Sequence, residues 1–111
     1  MITVKIIREY DHQIRSITIS GHANSGPYGH DLVCAGVSAV SFGLVNAILT
    51  LAEENLTIEQ AEDEGGYLHV EIPPQSDQVR PDDVQLLLAG MVISLQTIEH
   101  DYKEYIQIVN G

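Results

Sequence analysis

A single cysteine, Cys34, stands three residues after Asp31 at the head of a long apolar stretch, and His22 opens the loop that leads to it. The segment reads Gly21-His22-Ala23-Asn24-Ser25-Gly26-Pro27-Tyr28-Gly29-His30-Asp31-Leu32-Val33-Cys34-Ala35. A thiol in the first turn of a helix meets unpaired N–H groups and the positive end of the helix dipole, and both favour the thiolate. The dipole contributes about 0.3–2 kcal/mol, and one pKa unit corresponds to about 1.4 kcal/mol. The helix alone therefore lowers the thiol by roughly one unit, and a base or an imidazolium is still required. A thiolate near an imidazole is the minimal equipment for nucleophilic acyl chemistry.

His22 is the first choice for that imidazole, because its backbone is anchored at the end of a strand. His30 is the rival, closer in sequence but set in the glycine-rich part of the loop. His12, His69 and His100 fall on a turn, a strand and a helix end and read as surface residues. Asp31 fits the N-cap of the helix, where its carboxylate can accept a main-chain N–H. It serves as a cap alone or also orients His22. As a nearby anion it opposes the thiolate that the helix terminus favours. The amides of Val33, Cys34 and Ala35 are candidate oxyanion donors. Ser38 follows Cys34 by one turn on the same face, a supporting residue or simply a small packing one. A zinc site from His22, His30, Asp31 and Cys34 uses acceptable ligand types, but the spacing matches no common pattern, so no metal is expected. A phosphate loop built on Gly21, Gly26 and Gly29 lacks the required lysine.

These residues must be held by a scaffold. Residues 2–9 alternate, with Ile2, Val4 and Ile6 on one face, and residues 13–20 alternate again around Ile17 and Ile19, so a hairpin turning at Asp11-His12 is expected. Gly21 to Asp31 reads as a long loop, its segment from Ala23 to His30 mobile without substrate, with Gly21, Gly26 and Gly29 as the flexible points of the loop. A helix runs from Leu32 to about Glu54, apolar nearly all round and therefore expected to be buried on most sides. Residues 56–59 and 67–72 form a second hairpin across a two-residue Gly65-Gly66 turn. Pro81 starts a second helix, with Asp82 and Asp83 in its first turn and a stripe of Val84, Leu87, Leu88, Met91, Val92, Leu95 and Ile98. Residues 103–109 close as a strand. The order is ββαββαβ, an α+β fold with one mixed or antiparallel sheet and two helices packed on it.

A length of 111 residues suits a single domain. Hydrophobic content of 44% is that of a folded chain. Five basic against 16 acidic residues give a net charge of −11, which disfavours direct nucleic-acid binding and suits a basic partner. One cysteine excludes an internal disulfide and points to a reducing compartment. The N-terminal residues lack the pattern of a signal peptide. The run from Leu32 to Ala52 could be mistaken for a membrane span, but its Ser38, Ser41, Asn46 and Thr50 favour a core helix.

Gly21-His22-Ala23 together with Gly29-His30-Asp31-Leu32-Val33-Cys34-Ala35-Gly36-Val37-Ser38-Ala39 closely resembles the ribosomal-processing cysteine protease family, Prp, and the likeness extends to length and element order. The resemblance implies a cytoplasmic cysteine endopeptidase. Its substrate would be the precursor of a large-subunit ribosomal protein, the twenty-seventh, from which it removes a short N-terminal extension. It implies a homodimer with a mobile loop over the site, Cys34 as nucleophile, His22 as general base and acid, and no cofactor. The other class is a non-catalytic module that binds the ribosomal protein or assists assembly.

Overall fold

The computed structural model describes residues 1–23, 31–61, 66–74 and 76–111. Five strands and two helices follow one another as β1 (Ile2–Arg8), β2 (Ile14–Ser20), α1 (Leu32–Leu51), β3 (Thr57–Gln60), β4 (Tyr67–Glu71), α2 (Pro81–Tyr102) and β5 (Ile106–Asn110). This is the expected ββαββαβ α+β arrangement. The strands form one sheet in the order β3-β4-β2-β1-β5. Pairing is antiparallel except between β1 and β5, which run parallel.

Alternation decides which face of the sheet is covered. Ile2, Val4, Ile6, Ile17, Ile19, Leu68, Val70 and Ile106 are buried, while Thr3, Lys5, Thr18, His69 and Glu71 between them are at least partly open. Only one face therefore carries the helices. From α2 the expected stripe arrives, with Val84, Leu88, Met91, Val92 and Leu95 buried and Leu87 and Ile98 packed beside them.

The first helix departs from expectation. It ends at Leu51 rather than near Glu54, because Glu53 takes a left-handed φ of 54° that the helix cannot continue through. Its buried residues are Val33, Val37, Ser41, Val45 and Ile48, a single stripe, and not most of its circumference. Leu32, Phe42, Leu49 and Leu51 remain exposed. By length and composition α1 could cross a membrane, yet its stripe is part of the core shared with the sheet and α2.

The first hairpin turns at Asp11-His12 as expected, whereas the second joint is not of the expected kind. The β3–β4 register pairs Gln60 with Leu68 and Thr57 with Glu71, and the Ala61 N–H reaches the Tyr67 carbonyl. The reversal is thus centred before Gly65, so a two-residue Gly65-Gly66 turn is excluded by the register itself. In the first hairpin His12 takes a φ of 71°, and Arg15 is the extra residue where the pairing shifts from Ile7↔Ser16 to Arg8↔Ile14. The Gln85 side chain of α2 then bonds both the N–H and the carbonyl of Ile14, at 2.8 and 2.9 Å, tying the second helix to that bulge. Beyond α1, the buried Glu54 accepts the Ser76 hydroxyl, which fixes the loop before α2.

Candidate active site

The site forms where the end of β2 meets the start of α1. Asp31 adopts an extended backbone (φ −83°, ψ 100°) and its Oδ1 accepts the Cys34 N–H at 3.0 Å. This is the expected N-cap, with Cys34 as the third helical residue. The Asp31 carbonyl meanwhile accepts the Ala35 N–H at 3.0 Å. Two of the three amides considered as oxyanion donors, those of Cys34 and Ala35, are thus committed within the helix start. Among the three, Val33 keeps an N–H without an acceptor inside the helix.

Cys34 is half-buried. Its Sγ accepts the Ala23 main-chain N–H at 3.3 Å. That bond is the observation that joins the two halves of the motif. Ala23 is only 4% exposed, so the first residue of the expected mobile segment is in fact part of the core. Its N–H belongs to the peptide bond that leaves His22, and this places the His22 backbone directly beside the thiol.

His22 itself is exposed. It is bracketed by two glycines of positive φ. Gly21, at +90°, turns the chain out of β2, and a Cβ there would run into the Met1 carbonyl. Its N–H donates to the Gly66 carbonyl at 2.8 Å. Gly21 is thus held in a tight turn at the sheet end. Gly66, at +78°, faces the His22 imidazole. Nothing in the sequence marks Gly66 as part of the site, because the contact joins segments far apart in the chain. Ser38 lies one turn beyond Cys34 and is exposed. His30, Gly26 and Gly29, and with them most of the expected mobile loop, lie outside the described residues. Among the described residues no three His, Cys, Asp or Glu side chains gather as a metal site would require.

Comparison with known proteins fixes the family. The family model described as cysteine protease Prp matches residues 1–107. The chain belongs to the Prp family of cysteine proteases. The ribosomal processing cysteine protease Prp of Bacillus subtilis is 45% identical over 111 residues, covering 100% of this chain and 98% of the relative. Its Staphylococcus aureus counterpart is 44% identical over 108 residues, 97% of each chain. A crystal structure of the essential S. aureus Prp with a covalently linked product peptide superposes with a TM-score of 0.90 at 42% identity, over 100% of both chains. A second S. aureus structure, with a substrate peptide, gives 0.83. As a Prp-family member this protein is a cysteine protease, and Cys34 is its one cysteine.

Proposed function

We propose that this protein is a single-domain endopeptidase over residues 1–111 that removes the short N-terminal extension of a large-subunit ribosomal protein, the twenty-seventh, through Cys34 and His22. The observation that carries the residue assignment is the Ala23 N–H on Cys34 Sγ. It brings the residue after His22 onto the only thiol of the chain. His22 takes the thiol proton, Cys34 attacks the scissile carbonyl, and His22 returns the proton to the leaving amine before water releases the acyl group. Of the helix-start amides, that of Val33 is the one suited to the oxyanion, since Asp31 occupies those of Cys34 and Ala35 and the Ala23 N–H donates to the sulfur itself. Asp31 acts as the helix cap and Ser38 leaves room for substrate. No cofactor or metal takes part.

The acidic surface suits a basic ribosomal precursor and repels nucleic acid. The protein acts in the cytoplasm rather than in a membrane, since inserting α1 would strip Val33, Val37, Val45 and Ile48 from the core. A second copy of the chain covers the exposed apolar side of α1. Sedimentation equilibrium at micromolar concentration tests this. A mass near 12.2 kDa would remove the dimer. For the activity, the extended ribosomal protein is incubated with enzyme and the products are weighed. A single cut that disappears in Cys34→Ala is expected. Binding without cleavage would leave only an assembly role.

A further inference from the structure

The ring of His22 sits where a side chain of residue 66 would be. A Cβ built on Gly66 would lie 2.6 Å from Nε2, 2.9 Å from Cε1 and 3.2 Å from Cδ2 of His22. No carbon approaches these atoms that closely without something moving. The same residue holds the backbone, because the Gly66 carbonyl accepts the Gly21 N–H at 2.8 Å. Gly66 also takes a φ of +78°, which L side chains rarely adopt. One residue at the head of β4 therefore supplies a tether for the chain entering His22 and an empty site for its imidazole.

We propose that Gly66 is a positioning residue for His22: the missing side chain at 66, on a strand end tethered to Gly21, seats the imidazole beside the Cys34 end of α1. The inference rests on the reading of His22 as the base. His22 is exposed on its other side, so a methyl group at 66 turns the ring away rather than unfolding the domain. The effect falls on the proton-transferring group and leaves peptide binding alone.

The test compares Gly66→Ala and Gly66→Asn with the parent, alone and combined with His22→Ala. Asn accepts a positive φ far better than Ala, yet carries the same Cβ. It separates collision from backbone strain, and it serves as the test variant if the Ala form does not fold. Both variants are expected to lower kcat at least 10-fold, by about the scale on which misplaced acid–base groups fail, with KM changed less than about twofold. The rate of Cys34 alkylation by iodoacetamide against pH should shift in both. Neither change should lower that rate further in the His22→Ala background. The His22 ring signals in a proton–nitrogen NMR spectrum should move in both. Parent-like kcat in Gly66→Asn, or unmoved ring signals, would overturn the proposal. If His22→Ala stays active, the base assignment fails, and moved ring signals in Gly66→Asn still uphold the seat.

Discussion

His22 and His69 lie at opposite ends of a useful contrast. His69, on β4, has the fuller set of partners. Its Nδ1 is 2.7 Å from the Thr18 hydroxyl and its Nε2 is 3.2 Å from Glu71 Oε1. Glu71 in turn lies 3.7 Å from Arg15, which bonds Glu9 at 2.8 Å. The Glu9 hydrogen bond pushes the Arg15 guanidinium further above its ordinary range. Read as a roll of hydroxyl, imidazole and carboxylate, this row resembles a relay more than His22 does. Its setting denies it that use. Thr18 is in register with Lys5 on one side and His69 on the other, so its backbone is enclosed between β1 and β4. A scissile carbonyl attacked there would find no helix start and no turn amide. His22 stands at the end of its strand, beside a helix N-terminus and a half-buried thiol. Position at an element boundary, where amides are unpaired, matters more for acyl chemistry than a complete chain of side-chain bonds.

The largest effect that bears on this contrast is at the thiol. Cys34→Ala should abolish cleavage and keep the circular dichroism spectrum, because a small residue fits the third helical position. Any retained turnover means the nucleophile lies elsewhere. His22→Ala should follow, with turnover reduced at least about 100-fold, the lower range for acid–base catalysis. His69→Ala should keep turnover within about threefold, since it touches only the open sheet face. Equal losses in the two histidine variants would erase the distinction drawn between them. Thr18→Val sharpens it further. Denaturant unfolding should show a cost of about 0.5–1.5 kcal/mol for the lost bond, with peptide cleavage unaltered. Smallest is Arg15→Ala, a surface ion pair, whose cost in denaturant unfolding should be less than that of Thr18→Val and should shrink further as salt rises.

How much of this was readable beforehand depends on how far apart the partners lie. The Asp31–Cys34 cap spans three residues, and its chemistry follows from residue types alone. The alternation of Ile2, Val4 and Ile6, and the stripe from Val84 to Leu95, are local patterns and gave the strands and the second helix. The Gly65-Gly66 pair misleads as a turn because Gly66 has another duty, facing His22, which depends on β4 lying next to β2. For α1, composition implies burial on most sides, but a two-layer fold of this size has only one sheet face and one neighbouring helix to offer. The Gln85 bond to Ile14 joins residues 71 apart and leaves no trace in either neighbourhood.

The parallel pairing of β1 with β5 sets an order in time. Thr3 and Gln107 bond across 104 residues of chain, and the Ile2 N–H depends on the Tyr105 carbonyl. Met1 and Ile2 form the wall against which Gly21 turns. A ribosome adds about 5–20 residues per second, so the first strand waits for seconds before its outer neighbour emerges. Until then the start of β1 behind that turn is held on one side only, by β2. Long-range pairing of this kind is also slow to form. The sheet edge behind Gly21 is therefore completed only after the last strand has been made.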